Sequence, residues 1–570
     1  MDVDRISFAP RLLEILEDLS QCHFVSLDLE LSGIATKLAH ATGRQTVQER
    51  YRDIKEAAER YQILQIGLTF AIHDQEEETY LLKPYNFNLN PLLDEKLDIE
   101  RIFSFQSGAI EFLLRNDFKL EKPFREGVPY LSHEEAKLAK ETAYNRLGRK
   151  NIEDIHLDTD DVESLALLDS IRKRIEEWKK NGGTSLDIMS RKDTPEPEGG
   201  DLSRFEKRLV HQLVRAEFPQ LVTLSRASYI TIIPLNEERE KEILHKRKHS
   251  VKQQIYRQTG FRWIVDAMTN ETLHRIDVKS FAYYPDGAAR TVDLRALNSR
   301  FDRIKDILKT KKTVLVGHNC MTDVVYFYKF FIGPLPDTVE EFQQAFHALF
   351  PLVIDTKYLA THNCGDINPM SSLQEIDDKL KSEKRPICLT HNEHLKYDGN
   401  QAFFHEAGFD SYLTALVLIR LSSKLEAEGT YVKRVDSSGL GSEDSVEGGV
   451  SLPASLALHD ERSSETPAGE MTGETDKQDG SRSYSVPSRF SHGNIYDKLG
   501  SLSIESDNDK ETQGDGPSYT DSHSPQSASK STATEKSDRA EMPPFQSDFW
   551  RVYGNKLRAF GTVEGLVHLS

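Results

Sequence analysis

The chain is organised around the stretch Phe24–Ile34, FVSLDLELSGI. Its apolar side chains alternate with Ser26, Asp28 and Glu30, and this period of two predicts a β-strand. Residues two apart in a strand point to the same face, so Asp28 and Glu30 place two carboxylates side by side. Each carboxylate disfavours ionisation of the other, and a hard divalent cation, Mg²⁺ or Mn²⁺, would relieve that repulsion. The alternative is an edge strand with one polar face in water, which Asp-x-Glu alone favours.

Length and composition indicate an intracellular, soluble protein with several domains. A chain of 570 residues exceeds one ordinary core. Four cysteines without CxxC spacing favour a reducing compartment and argue against a cysteine-based zinc site. The N-terminus lacks a secretory pattern, and no apolar run approaches the length of a membrane span. We therefore expect no membrane association.

The net charge of −19 does not exclude a nucleic-acid partner, because the charge is unevenly distributed. Residues 436–545 carry 21 Asp and Glu against 9 Lys and Arg, so this stretch contributes most of the excess. It is rich in Ser, Gly, Asp and Glu and cannot bury enough apolar surface to offset chain entropy. We predict that 436–545 is disordered, and we judge nucleic-acid binding by local basic runs instead.

Three further segments follow the first strand. A charge-paired helix over 47–61 and strands over 63–71 and 79–82 predict an antiparallel meander beside it. The apolar strand 313–317 ends in Gly and precedes Asp323, which lies on a buried helix. Asp410 begins an apolar helix that runs to about Leu421, and His405 lies five residues before it. Each of these acids alone is more typical of a helix cap or a salt bridge.

Residues 165–250 look like an insertion, and the composition of 194–200 predicts a flexible linker within it. A helix over 204–218 with an apolar stripe from Phe205 to Val214, a strand over 229–235 and a basic helix over 245–257 follow. This layout resembles the small single-strand nucleic-acid-binding domain named for its Arg-x3-His motif, with a lysine in the arginine position. The candidate RNA contacts are Lys207, Arg208, His211, Lys246, Arg247 and Lys248. The alternative is a charged, solvated helix in a spacer.

Taken together and in this order, Asp28, Glu30, Asp323 and Asp410 match the acidic set of the DEDD 3′→5′ exonucleases. The spacing His405-x4-Asp410 marks the histidine subclass. The chain also resembles the poly(A)-specific ribonuclease (PARN) family of CAF-type deadenylases over about 1–165 and 255–425. That resemblance rests on FVSLDLELSGI, RYRDIKEAAERYQILQIGLTF, REGVPYL, VLVGHNCMTDVVYFYKFFIGPLP, VIDTKYLA and HEAGFDSYLTAL.

The resemblance implies an α/β, ribonuclease H-like fold, with a mixed sheet flanked by helices. It implies a 3′→5′ exoribonuclease that degrades poly(A) tails and releases 5′-AMP, with single-stranded RNA and poly(A) 3′ ends as its substrate. It assigns metal ligation to the four acids and the general base to His405. Two Mg²⁺ ions, with Mn²⁺ as a substitute, would stabilise the attacking and leaving oxygens. A histidine with its ordinary pKa of ~6.5 can accept the proton of water at neutral pH.

Three further residues are candidate RNA contacts. Leu31 and Ile34 follow the carboxylate strand and would pack on the terminal base, although a core role suits Leu31 equally well. Lys357, in the stretch Asp-Thr-Lys, is a candidate phosphate contact, and a solvated lysine is the alternative.

These observations divide the chain into a split nuclease domain, 1–165 and 255–430, and an inserted domain, 166–254. The disordered linker 436–545 follows. We expect 546–570 to form a short hairpin around Gly554-Asn555 that resembles the start of the RNA-recognition-like domain of the family; cap dependence is left open. Family resemblance also suggests a homodimer in nucleus and cytoplasm. A helix within 488–504 would present an apolar stripe to a protein partner, with chance clustering as the alternative.

Two other functions stay open. The same site would serve 3′-end trimming of small noncoding or precursor RNAs, because substrate choice lies in loops and partners. The other hypothesis is not an enzyme: an RNA-binding scaffold protein that is catalytically idle. All five motif residues are present, and their presence favours an enzyme.

Overall fold

The computed structural model describes residues 1–35, 45–148, 154–189, 201–284, 286–362, 367–368, 370–399, 403–431, 541–560 and 565–569. The strands are β1 Asp2–Val3, β2 Phe24–Leu31, β3 Ile63–Asp74, β4 Thr79–Asn90, β5 Val128–Pro129, β6 Leu186–Ile188, β7 Leu221–Ser225, β8 Ile230–Pro234, β9 Val314–Gly317, β10 Leu352–Asp355, β11 Ile387–Thr390, β12 Lys556–Arg558 and β13 Leu566–His568.

The α-helices are α1 Phe8–Gln21, α2 Val47–Arg60, α3 Ser107–Arg115, α4 Lys122–Arg125, α5 His133–Leu147, α6 Val162–Lys180, α7 Arg204–Glu217, α8 Glu237–Thr259, α9 Arg262–Met268, α10 Leu294–Leu308, α11 Met321–Phe327, α12 Val339–Leu349, α13 Thr356–Thr361, α14 Leu373–Leu380, α15 Ala407–Glu428 and α16 Asp548–Tyr553. A π turn, Tyr328–Ile332, continues α11, and 3₁₀ turns lie at Val278–Ala282 and Asn392–Tyr397.

A mixed sheet forms the centre of the molecule, in the order β4-β3-β2-β9-β10. Strands β4, β3 and β2 are mutually antiparallel neighbours, whereas β2, β9 and β10 run parallel. Strands β1, β5 and β11 add to β4. Helices pack on this sheet through apolar side chains, and the predicted mixed α/β, ribonuclease H-like fold is confirmed.

Strand β2 occupies the middle of the sheet. All eight of its residues are buried. Strand β3 pairs along the whole of one side, and β9 pairs with Val25 and Ser26 on the other side. The alternative of a half-solvated edge strand is therefore wrong. The predicted meander is confirmed, although β4 runs eight residues further than expected, to Asn90.

The inserted segment has an apolar core of its own. Helices α6 and α7 contribute Ile171, Ile175, Val210 and Val214 to it, and these pack on a three-stranded sheet, β6-β8-β7. The sequence indicated only β8 of these strands. Phe205, expected on the apolar stripe, is 48% exposed because α7 packs through its later turns. The linker predicted over 194–200 lies outside the described residues.

The C-terminal segment, 541–560 and 565–569, differs from its prediction. The expected hairpin around Gly554-Asn555 is wrong, because Phe549, Trp550 and Tyr553 share the buried side of helix α16. The strand pair is instead β12 with β13. The stretch predicted to be disordered also ends too late, since Met542 is buried and Trp550 Nε1 donates to the Pro543 carbonyl at 2.9 Å. The segment 488–504 lies outside the described residues.

The C-terminal segment completes the sheet edge at β10. The Asn555 backbone N–H donates to the Val353 carbonyl at 2.7 Å, and Asn555 Oδ1 accepts from the Val353 N–H at 2.8 Å. The Arg558 N–H donates to Asp355 Oδ2 at 2.9 Å. Unpaired groups on an edge strand otherwise invite pairing with another chain. The segment therefore satisfies an edge that the rest of the chain leaves open.

Within the described residues, the helices are all too short or too polar to cross a membrane.

We predict that Trp550→Ala lowers the free energy of unfolding by about 3–5 kcal/mol, because the indole is 4% exposed and packs on Phe545 and Phe549. Urea unfolding of the full chain measures the change. Arg551→Ala, on the exposed side of the same helix, should change stability by less than about 0.5 kcal/mol. Equal stability of the two variants would show that the C-terminal segment does not hold the core.

Candidate active site

Asp28 and Glu30 lie on β2 with exposed fractions of 6% and 2%. The pairing of β2 with β3 shifts register between Glu30 and Leu31, and such a bulge changes the direction of the side chains around it. Strand β9 pairs with β2 only at Val25 and Ser26. Strand β9 ends at Gly317, before the level of Asp28, and Asp323 of α11 and Asp410 of α15 lie close enough to Asp28 for their charges to act on it.

Helix α15 crosses β3 at unusually short range. A Cβ atom added at Gly67 would overlap the carbonyl oxygen of Ala407, the first residue of α15. Only glycine permits this approach, since every other residue carries a Cβ. Gly67 is the direct partner of Asp28 across the strand pair. The start of α15 therefore lies above Asp28.

Polar side chains of the sheet cap the start of α15. Glu406, which precedes the helix, makes no side-chain cap. Gln65 Oε1 accepts from the Ala407 N–H at 2.9 Å, and Asn86 Oδ1 accepts from the Gly408 N–H at 3.1 Å. These bonds satisfy N–H groups that a helix N-terminus leaves without partners.

Hydroxyl groups fix the next turn of α15 against the sheet. Ser26 Oγ donates to the Ser411 carbonyl at 2.7 Å, and the hydroxyls of Thr69 and Ser411 lie 3.0 Å apart. All three side chains are buried, so these bonds are protected from water. They set the rotation of α15 beside Asp410, the preceding residue.

The result is a cluster of three carboxylates, Asp28, Glu30 and Asp410, in which one ligand oxygen from each lies within 4.8 Å of the others. Asp28 Oδ2 is buried and has no hydrogen-bond partner among the described residues. Burial, together with the charges of Asp410, Asp323 and Glu30, raises the pKa of Asp28 well above its usual range. Burial raises the pKa of Asp410 to about 7.

Asp323 lies next to this cluster without joining it. Burial raises the pKa of Asp323 to about 7, against hydrogen bonds from its own backbone and from Leu29, which lower it. The Leu29 N–H reaches Asp323 because β9 no longer pairs with β2 at this level. The charge of Asp323 raises the pKa of Asp28, so the two carboxyl groups are close to each other. Of the four predicted acids, the structure brings three into ligand distance and places the fourth beside them.

His405 lies in the turn before α15, with a positive φ of 65°. Its backbone N–H donates to Asp410 Oδ2 at 3.1 Å, and its ring packs edge-on against Phe112 at 4.7 Å between centroids. Positive φ is costly for a residue other than glycine and is often found at functional sites. Burial lowers the pKa of His405 to about 4, below the value of ~6.5 assumed from the sequence. The imidazole is therefore neutral at pH 7, and its Nδ1 has no hydrogen-bond partner among the described residues.

The donor set suits a hard divalent cation. Three buried carboxylates contribute only oxygen ligands, as Mg²⁺ and Mn²⁺ prefer. Their mutual repulsion and the unpartnered Asp28 Oδ2 are what a bound cation would relieve. The residues present fit a metal.

The candidate base and phosphate contacts lie in the interior. Leu31 and Ile34 are 3% and 5% exposed and belong to the main core, as the alternative for Leu31 stated. Lys357 is 3% exposed, and its ammonium donates to the Ser371 carbonyl. Lys357 is therefore not solvated. Its hydrogen bond to the Ser371 carbonyl would have to break before the ammonium could contact a phosphate.

The candidate contacts of the inserted segment lie on or near its surface. Lys207 donates to the Arg226 carbonyl at 3.0 Å, and His211 Nδ1 lies 2.7 Å from Thr223 Oγ1, so both side chains hold the segment together. Arg208 and Arg247 are exposed. Lys246 pairs with Glu242 at 2.6 Å, and Lys248 lies over the Tyr144 ring at 5.2 Å. The structure thus brings none of these residues into the carboxylate cluster.

Four residues of the site were missed by the sequence analysis: Gln65, Gly67, Asn86 and Phe112. Gln65 and Gly67 interrupt the apolar run of β3, and a polar side chain beside a glycine in a buried strand was a usable signal. Asn86 and Phe112 gave none, because their roles depend on where α15 lies.

The family described as CAF1 family ribonuclease matches residues 3–418. Poly(A)-specific ribonuclease PARN of Xenopus laevis is 24% identical over 447 residues, which cover 75% of this chain and 63% of the frog protein. The chain thus spans less than two thirds of that relative. The pre-piRNA 3′-exonuclease trimmer of Bombyx mori is 25% identical over 74% of this chain and 71% of its own length. The solved structure of S. pombe Pop2p with Mg²⁺ and Mn²⁺ bound is 14% identical, with a TM-score of 0.33 over 76% of this chain and 95% of Pop2p.

We predict that Gly67→Ala destabilises the protein by about 1–3 kcal/mol and removes activity, because the added methyl group displaces Ala407 and with it Asp410. Thermal unfolding and RNA hydrolysis measure the two effects. Gly333→Ala is the matched control, since open space surrounds Gly333 and its φ is extended. A Gly67→Ala variant with the activity of the wild type would show that α15 need not approach so closely.

Proposed function

This chain belongs to the CAF1 family of ribonucleases, and we propose that it is a 3′→5′ exoribonuclease that shortens poly(A) and releases 5′-AMP. One observation carries the proposal: Asp28, Glu30 and Asp410 are buried together at one point of the sheet, and Asp28 Oδ2 has no hydrogen-bond partner in the part of the chain that the structure describes. Burying like charges is costly and rarely persists without a ligand or a function. Membership of the family supports the class of reaction, and the buried cluster supports this point of the sheet as the place where it would occur.

Asp28, Glu30 and Asp410 would hold Mg²⁺, with Asp323 beside them. Bound Mg²⁺, as a pair of ions in this proposal, supplies electrostatic stabilisation to the attacking and leaving oxygens of the phosphodiester. The chain orients these ligands through the sheet and through the capped start of α15, so little reorganisation is needed during the reaction.

His405 would act as the general base. Its imidazole is neutral at pH 7, so a ring nitrogen carries a lone pair that can accept a proton from water. The water oxygen then bonds to phosphorus, and the 3′ oxygen of the preceding nucleotide leaves. The released nucleotide keeps the phosphate on its 5′ oxygen. Phe112 holds the imidazole plane from one side.

A second substrate class is 3′-end trimming of small RNAs. The observation that favours it is that the chain is as similar to the pre-piRNA 3′-exonuclease trimmer of Bombyx mori, at 25% identity, as it is to the frog PARN, at 24%. The cluster would contact only the phosphodiester, which both substrates share, so it does not separate the two substrates.

A substrate assay separates these proposals. The purified full chain is incubated with 5′-labelled RNAs that end in A, C, G or U tracts, with Mg²⁺ or with chelator. Stepwise shortening of the A-tailed RNA alone supports poly(A) specificity, whereas equal shortening of all four supports general 3′ trimming. No Mg²⁺-dependent shortening of any RNA would contradict the proposed function.

We predict that Asp28→Asn abolishes hydrolysis and raises the melting temperature in the absence of metal, because one of the repelling charges is removed. Mg²⁺ should raise the melting temperature of the wild type only, since ligand binding stabilises the folded state. Differential scanning calorimetry with and without Mg²⁺ measures both effects.

Asp377→Asn is the control for Asp28→Asn. Asp377 is also buried, but it pairs with Arg420 at 3.2 Å. Its replacement should lower the melting temperature and leave the Mg²⁺ effect intact. If Mg²⁺ stabilises Asp28→Asn as much as the wild type, the metal does not bind at the cluster.

We predict that His405→Gln slows hydrolysis by about 10²–10⁴-fold, the usual contribution of a positioned base, with RNA affinity little changed. Single-turnover kinetics measure the step. His347→Gln is the matched control, because His347 Nδ1 also lacks a hydrogen-bond partner but lies on α12, outside the cluster. A His405→Gln variant that retains the rate of the control would assign the base elsewhere.

A further inference from the structure

A cavity of about 370 Å³ lies between α5, α8 and α9, and its lining includes no residue of the carboxylate cluster. Four residues of α5 line it, His133, Ala136, Lys137 and Lys140, and their spacing places them on one helix face. Lys252, Ile255, Tyr256 and Thr259 of α8 repeat the same spacing. The two helices pack along these faces, and α9 forms the floor. We refer to this cavity as the α5–α8 cleft.

The α5–α8 cleft is positively charged in a chain whose net charge is −19. Five permanent cations line it, Lys137, Lys140, Lys252, Arg262 and Arg275, against two carboxylates, Asp266 and Glu271. None of the three lysines forms a salt bridge with a described residue. Like charges gathered in one cavity repel each other unless an anion lies between them.

The floor of the cleft contains a buried guanidinium with an unused donor. Arg262 is 5% exposed, and its Nη1 donates to the Leu131 carbonyl at 2.5 Å. Its Nε lies 3.5 Å from Asp266 Oδ1 and makes no hydrogen bond within the described structure. Asp266 Oδ1 is also 2.9 Å from His133 Nε2, so one carboxylate serves two basic groups. A buried donor without a partner is costly, and an anionic ligand would satisfy it.

We propose that the α5–α8 cleft binds phosphate groups of the RNA substrate upstream of the 3′ end that is hydrolysed. The inference rests on the proposed function, because RNA is the polyanion which that function brings to the protein. A phosphodiester oxygen would accept from Arg262 at the floor, and the lysines would contact the neighbouring phosphates.

The position of the cleft favours a long nucleic acid over a small anion. Lys248 and Lys140 lie over the ring of Tyr144, at 5.2 and 5.8 Å, and extend the positive surface along α8 beyond the cavity. Helix α8 begins after β8 of the inserted segment and ends at Gly260, which pairs with Tyr130 next to β5 of the main sheet. The cationic residues from Lys248 to Lys252 thus lie on the part of α8 that leads to the nuclease sheet, where a bound strand could follow them.

The test measures RNA binding in the Asp28→Asn background, so that no substrate is consumed. The cleft variant carries Lys137→Gln, Lys140→Gln and Lys252→Gln. The control variant removes three exposed cations from α10 and the residue that follows it, with Arg295→Gln, Arg303→Gln and Lys309→Gln. The probes are fluorescent oligoadenylates of about 24 and about 6 nucleotides, titrated over a range of salt concentrations.

The cleft variant should bind the longer RNA at least about tenfold more weakly than the control variant does, with a salt slope reduced by about 2 units, because each lost single-strand phosphate contact removes about 0.7. The loss should be smaller for the short RNA. A cleft variant within twofold of the control for the longer RNA, with an unchanged slope, would overturn the proposal. The proposal would also be overturned if the cleft variant lost the binding of AMP or inorganic phosphate but bound the longer RNA as the control does. The cleft would then be a site for small anions.

Two measurements keep these outcomes interpretable. Circular dichroism and thermal unfolding establish that the cleft variant is folded, and the single charge reversal Lys252→Glu provides a milder change expected to act in the same direction. Hydrolysis by the wild type is recorded separately. If the wild type does not hydrolyse RNA but the cleft variant binds RNA more weakly than the control, the proposed function is contradicted and the cleft proposal is supported. If the wild type hydrolyses RNA and the cleft variant binds RNA as well as the control, the proposed function is supported and the cleft proposal is contradicted.

Discussion

The close approach of α15 to β3 at Gly67 is the contact on which the active site depends. Asp28 and Asp410 lie more than 380 residues apart in the sequence, and this approach places them within ligand distance. Apolar packing alone would fix the position of α15 on the sheet less tightly, because apolar contacts are not directional. The caps from Gln65 and Asn86 and the hydroxyl bonds of Ser411 are directional, and they hold the helix in a single register.

The site holds its charges at the expense of stability. Four acidic side chains are buried near one point, and burial raises the pKa of three of them. The surrounding core is large enough to hold the strained arrangement, since β2 is covered on both sides and α15 is buried along most of its length. Such a conflict between stability and chemistry is common where a ligand is expected.

Periodicity predicted β2 and the antiparallel meander beside it, and the resemblance to a known family implied the mixed sheet and the five motif residues, of which the structure brings Asp28, Glu30 and Asp410 together. They did not predict the helical C-terminal segment, because the aromatic residues of α16 form a helix only against the core they cover. The altered pKa of His405 and the burial of Lys357 were also out of reach, since both arise from packing between distant parts of the chain. Gln65 and Gly67 inside the apolar strand β3 indicate that another element packs closely there. A local sequence pattern does not show that this element is α15.

The C-terminal segment has a consequence for synthesis of the protein. The ribosome completes residue 431 before it adds the 139 residues 432–570, which at 5–20 residues per second takes about 7–28 s. During that time the edge of β10 and the apolar face that receives α16 have no cover. A nascent chain in this state exposes an open strand edge, which is a substrate for chaperones and a risk for aggregation. The edge of the nuclease sheet at β10 is therefore covered only after residues 541–560 have been made.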